Sequence, residues 1–125
     1  MARATLHPVV HLELHTQNAA RACGFYARLF GWRTERVKTG GHEDYLVLML
    51  ADVIEGGVVE GETGRPHWLP YVAVADIEDA TERARILGAE VVVEPSEGPA
   101  GWRSVVTSAA GADVALWQPK TTHGP

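Results

Sequence analysis

The chain has 125 residues, which is room for one ordinary domain and too few for two. Eleven Lys and Arg against 16 Asp and Glu give a formal net charge of −5. The basic residues are scattered, which argues against the electropositive stripe that non-specific nucleic-acid binding needs. Cys23 is the single cysteine, so no internal disulfide framework exists. The opening MARATLHPVV lacks the apolar run and cleavage-like site of a secretory signal, and no stretch reaches the length of a membrane helix. A cytoplasmic protein with neither nucleic-acid nor membrane partners is the expectation.

In chain order, Val9 to Leu14 alternates as a half-buried strand, with Val10, Leu12 and Leu14 on one face and Val9, His11 and Glu13 on the other. Asn18 follows as a helix N-cap. Ala22, Phe25, Tyr26 and Leu29 then fall on one helical stripe, and Gly31 supplies a left-handed stop. The spacing predicts a helix over 19–30. Strands are predicted near 32–38, 45–51 and 54–60, with Thr39 to His42 turning between the first two. The Gly56-Gly57 pair reads as a bulge or as a close approach of backbone, because glycine is otherwise a poor strand residue.

The order then repeats. Trp68 to Val74 reads as a strand, Asp76 as an N-cap, and Ile77, Ala80, Thr81, Ala84 and Leu87 as the inner face of a helix that Gly88 ends. Strands near 90–94, 102–107 and 113–117 follow, with Pro95 to Gly101 as a loop. A shift of 57 positions superposes Ala27–Gly31 (ARLFG) on Ala84–Gly88 (ARILG). Both halves spell strand, helix and three strands, so the expected class is α+β. It consists of two tandem βαβββ units, about 7–62 and 67–119, forming curved mixed sheets around a shared trough within a single domain of residues 1–125.

With FYARLFGW at Phe25–Trp32 placed after HLEL at His11–Leu14, and with GADVALWQP near the end, the chain resembles the vicinal oxygen chelate superfamily of glyoxalase I, bleomycin resistance proteins and extradiol dioxygenases. The resemblance covers about residues 7–119 and is closest to the metal-poor, glyoxalase-like members. It implies a divalent metal held by two side chains from each unit. By position these would be His11, a residue of the Glu55-Gly56-Gly57 segment, Trp68 or Pro70, and Ala115. Indole, pyrrolidine and methyl groups offer a divalent ion no electron pair, so at most two of the four ligands are present, and neither a metal nor any other cofactor is expected.

The residues themselves offer a different set. His11 and Glu13 share a strand face as an acid/base or hydrogen-bonding pair, and are the candidate catalytic residues; an ordinary solvated edge is the plainer alternative. Trp68 and Trp102, with Tyr45, Met49 and Trp117, are candidate pocket walls, and Asp113 a hydrogen-bond acceptor at the pocket mouth; core or interface packing explains any one tryptophan equally well. His15, His42, His67 and His123 are weaker candidates, and Cys23 reads as structural. No phosphate-binding glycine loop and no nucleophile elbow is present. The leading expectation is binding of a small organic molecule without a tightly bound metal. A small lyase, isomerase or dioxygenase-type enzyme with His11 as acid/base or with a weak metal site is the alternative, and a self-association module a third. A homodimer is expected because open sheets leave edges to be covered.

Overall fold

The computed structural model describes residues 6–37, 45–62 and 64–120; the turn at Thr39 to His42 and the tail histidine His123 lie outside them. These residues pack as two compact units, one of residues 11–69 and one of residues 6–10 with 70–120. The elements are β1 (Val9–Thr16), α1 (Ala19–Phe30), β2 (Arg33–Val37), β3 (Tyr45–Leu50), β4 (Val53–Glu60), β5 (His67–Ala73), α2 (Ile77–Ile86), β6 (Glu90–Glu97), β7 (Gly101–Thr107) and β8 (Asp113–Pro119). Strand, helix and three strands occur twice, and the α+β class is as the sequence indicates.

In the first unit the strands run in the order β2-β3-β4-β1. β1 lies parallel to β4, whereas β3 is antiparallel to both β2 and β4. Two rows of side chains follow from the register. Leu14, Val58 and Leu46 stand side by side on the face toward α1, and Glu13, Gly57 and Val47 stand side by side on the other. The helix-facing row makes the core, where Leu14, Leu48, Val58 and Ala19 are buried and Ala22, Cys23, Tyr26 and Trp32 pack onto them.

α1 begins where the Asn18 side chain accepts from the Arg21 N–H at 3.0 Å. It ends at Gly31, whose φ of +79° is the left-handed conformation expected there. The buried stripe differs from the one expected. Ala19, Ala22, Cys23 and Tyr26 face the core, while Phe25 and Leu29 remain 57% and 56% exposed. Both stripes have the same i, i+3, i+4, i+7 spacing, so periodicity alone leaves the rotation of the helix undetermined.

A two-residue turn, Ala51-Asp52, joins β3 to β4, with Leu50 paired to Val53. Ala51 has φ +53°, the one positive φ at a non-glycine residue among those described. An L side chain there costs about 1–2 kcal/mol. Ala51→Gly is therefore expected to raise the stability by about 1 kcal/mol, read as a higher urea midpoint at unchanged slope.

The second unit has the strand order β5-β8-β7-β6, with β5 parallel to β8 and the other pairs antiparallel. α2 is capped by Asp76, which accepts from the Asp79 N–H at 3.0 Å, and by the Gln118 side chain, which accepts from the Ile77 N–H at 2.8 Å. Thr81 joins α2 to β7: its hydroxyl lies 2.8 Å from that of Ser104, both residues being buried. That contact puts Trp102, Ser104 and Val106 on the α2 side of the sheet and Arg103 and Val105 on the other. Leu87, expected on the inner face, is exposed.

β6 continues through Pro95 to Glu97, where a loop is predicted from the sequence. The strand tolerates the proline because β6 pairs within its unit only with β7, and the register shifts between Val93 and Ser96. The missing N–H is thus not required by a ladder bond.

Candidate functional site

The polar concentration of the first unit lies on the sheet face opposite α1. His11, Glu13 and His15 alternate along β1 and project to the same side, because their intervening neighbours include Leu14 of the core. Tyr45, at the start of β3, reaches across to them. Its phenolic O–H donates to Glu13 Oε2 at 2.6 Å, and its oxygen lies 2.9 Å from His11 Nε2. A phenol has one proton, so His11 carries its own on Nε2 and donates it to Tyr45. His15 Nε2 donates to the second oxygen, Glu13 Oε1, at 2.8 Å.

Glu13 is thereby a carboxyl group only 4% exposed, with both oxygens accepting hydrogen bonds. Burying such a group without donors would cost several kcal/mol, and the two donors explain why it is tolerated. His67 stacks on His15 with ring centroids 5.2 Å apart and planes 5° from parallel, and its Nδ1 donates to the Arg65 carbonyl at 2.9 Å.

Burial lowers the pKa of His11 below its ordinary value, and the nearby Glu13 charge opposes this without cancelling it. Burial thus favours the neutral imidazole. In the unfolded chain His11 titrates near 6.5, so acid favours the unfolded state, and the stability that His11 contributes above that pH is lost as pH falls toward the lowered folded value. In urea titrations from pH 8 to pH 5, His11→Asn is expected to remove part of the acid-side loss. An unchanged profile would contradict this.

The other sequence candidates are distributed as follows. Met49 lies on the same strand as Tyr45 and pairs with Ile54 beyond a register shift. Trp68 is placed with its ring edge-on to Tyr26 of α1, centroids 5.6 Å apart, and so is not brought to His11. In the second unit Trp102 lies on the α2 side of β7, with Lys120 Nζ 5.6 Å from its ring. Trp117 is on the opposite side beside Tyr71, whose hydroxyl accepts from Arg103 Nη1 at 3.1 Å. Asp113 accepts from the Thr107 hydroxyl at 2.6 Å. His15 and His67, ranked low from sequence, join the Glu13 cluster. Strand parity was the available signal, since His15 follows His11 and Glu13 at spacing two.

The positions that the resemblance gives to a metal do not form a donor set. His11 Nε2 is committed to Tyr45, Glu55 is exposed, Trp68 packs on Tyr26, and Ala115 is a fully buried methyl. Among the described residues no group of three or more His, Cys, Asp or Glu is arranged to hold an ion. The residues present do not fit the four-ligand site of the superfamily. No helix of the described residues is long and apolar enough to cross a membrane.

Two halves, each ordered strand, helix and three strands, carry the architecture of the vicinal oxygen chelate superfamily. More narrowly, the family model of the glyoxalase-like domain matches residues 10–117, and the chain belongs to that family. It is 32% identical over 98 residues to a Mycobacterium tuberculosis protein named "Putative glyoxylase CFP32", covering 77% of this chain and 38% of that protein. It is 24% identical over 129 residues to the anthracycline biosynthesis protein DnrV of Streptomyces peucetius, covering 90% of this chain and 47% of that one. The chain thus spans less than half the length of these relatives.

Solved structures share the fold at low identity. A hypothetical protein from Bacillus halodurans superposes with TM-score 0.67 at 12% identity, over 97% of this chain and 100% of that one. Streptomyces coelicolor methylmalonyl-CoA epimerase superposes with TM-score 0.63 at 15% identity, with the same coverage. Family and fold together support a role in small-molecule binding or enzymatic chemistry.

Proposed function

We propose that this chain binds a small organic molecule on the β1–β3–β4 face, without a tightly held metal, and that His11, Tyr45 and Glu13 form its polar recognition centre. The supporting observation is the continuous chain of hydrogen bonds from His11 through Tyr45 to the buried Glu13, anchored at its far oxygen by His15. Polar groups held in one orientation by buried partners are what a binding site needs to fix a ligand at low entropic cost. The names of the relatives, a glyoxylase and a biosynthesis protein, support small-molecule chemistry of this kind.

A second reading has a specific observation behind it. His11 stands 2.9 Å from the Tyr45 oxygen, which is itself bonded to the Glu13 carboxyl, and burial, which lowers its pKa, favours the neutral imidazole; together these support metal-independent acid/base catalysis of the lyase or isomerase type. A homodimer is proposed alongside, supported by β2 and β6, each paired within its unit with a single strand.

The test of the main reading is a fragment library screened by backbone amide shifts of the 15N-labelled protein. Fragments should move the amides of His11, Glu13, Tyr45 and Gly57 together, and hits confined to other surfaces would overturn the assignment. Elemental analysis after dialysis should find background metal; about one Zn, Ni, Mn or Fe per chain, lost in His11→Ala, would restore a metalloenzyme. Sedimentation should give a dimer mass at micromolar concentration, and a monomer throughout would remove that part.

A further inference from the structure

We propose that Gly57 is a positioning residue of this site: its missing side chain is the slot through which the Tyr45 ring crosses β4 to join His11 to Glu13. The inference rests on reading His11, Tyr45 and Glu13 as the recognition centre.

Tyr45 starts on β3 and Glu13 sits on β1, with β4 between them. Two strand spacings are roughly 10 Å, so a phenol that spans them must lie against the middle strand. Gly57 occupies that middle position, opposite Glu13 on one side and Val47 on the other. A Cβ at residue 57 would stand 1.8 Å from the Tyr45 hydroxyl oxygen, 2.3 Å from Cζ and 2.7 Å from Cε2. These are its three nearest atoms, and all belong to one side chain. No such overlap can be relieved without withdrawing the ring, since carbon atoms in contact lie near 3.5–4.0 Å.

Backbone freedom is not the reason for this glycine. The described glycines with positive φ are Gly31, Gly88 and Gly111, and Gly57 is not among them. Its neighbour Gly56 serves a different end, because a Cβ there would meet the Leu12 carbonyl oxygen at 2.6 Å, so that Gly56 lets two backbones approach. The two adjacent glycines, on opposite faces of β4, have separate roles: one for the sheet and one for the site. The register of β4 against β3 shifts at Glu55, directly before Gly56, while Gly56 and Gly57 themselves pair with Leu48 and Val47.

The experiment compares wild type, Gly57→Ala, Tyr45→Phe, Tyr45→Ala and the double variant Tyr45→Ala/Gly57→Ala. The readouts are the 15N shifts and pH titration of the His11 imidazole and the thermal midpoint. Wild type should show the Nε2–H tautomer. Gly57→Ala and Tyr45→Phe should both lose that preference and share one altered titration curve. Gly57→Ala should lower the midpoint when residue 45 is Tyr and leave it unchanged when residue 45 is Ala, the non-additivity expected of groups in contact.

Wild-type tautomer and titration in Gly57→Ala would overturn the proposal. So would an equal fall in midpoint in both backgrounds. Should Gly57→Ala fail to fold, the Tyr45→Ala pair decides: equal midpoints support the slot, and unfolding of the double variant overturns it. None of these measurements uses a ligand, so a failed fragment screen would count against the proposed function and leave the role of Gly57 standing.

Discussion

Glu13→Ala is expected to destabilise the first unit by about 2–4 kcal/mol, because two half-buried donors each lose an acceptor, at the lower part of the about 1–3 kcal/mol that a fully buried one costs. The Tyr45 hydroxyl and His15 Nε2 both donate to this one carboxyl, which is buried between them. Its loss also removes the anchor that fixes the Tyr45 ring and hence the acceptor for His11. Glu13→Gln keeps the shape and one oxygen but turns an amide N–H₂ toward a donor, and should cost about half as much. Urea midpoints of the two variants and of Glu13→Ala/Tyr45→Phe check the account. The double variant should be less destabilised than the sum of its singles. Strict additivity would mean that the buried carboxyl and the phenol are not coupled.

Leu48→Ala should be as damaging, about 2–5 kcal/mol, for a different reason. Leu48 is 0% exposed in the cluster formed by Leu14, Val58 and Ala19, and truncating it leaves a void in addition to the lost transfer energy. Neighbouring Val47, also buried, faces away from α1 beside Glu13 and Gly57, so Leu48→Ala tests the core apart from the site. The His11 tautomer should therefore survive Leu48→Ala in the folded fraction, whereas Glu13→Ala removes it. A Leu48→Ala protein that keeps its urea midpoint would contradict the placement of the core on the α1 face.

Much of this was legible in the letters. Asn18, Asp76 and Gly31 announce helix ends by local chemistry that acts within a few residues, and the observed caps use those atoms. The alternation in β1 separates His11 and Glu13 from Leu14 because a strand has a period of two. What the letters leave open depends on register and rotation. Phe25 and Leu29 satisfy the helical stripe as well as Ala19 and Cys23 do, and only packing against Leu14 and Val58 selects the second. Trp68 and His67 differ by one position, and parity set the tryptophan against Tyr26 and the histidine against His15.

The role of Tyr45 was out of reach for a related reason. As an aromatic near a strand end it reads as a pocket wall, and nothing local says that its hydroxyl spans two strands. The one clue was the Gly56-Gly57 pair, whose meaning depends on which side chain of β3 crosses it. Pro95 misled in the other direction, since a proline is excluded from a paired interior strand and not from an edge with a register shift.

The proposed site requires that His11 bind an organic ligand without help from a metal. The measurement that bears on it most directly is a calorimetric titration of the best fragment against wild type and His11→Ala, each with and without EDTA. Binding is predicted to be indifferent to EDTA in wild type and at least about tenfold weaker in His11→Ala, a loss of about 1.4 kcal/mol. Equal affinity in the two proteins, or affinity abolished by EDTA, would contradict it.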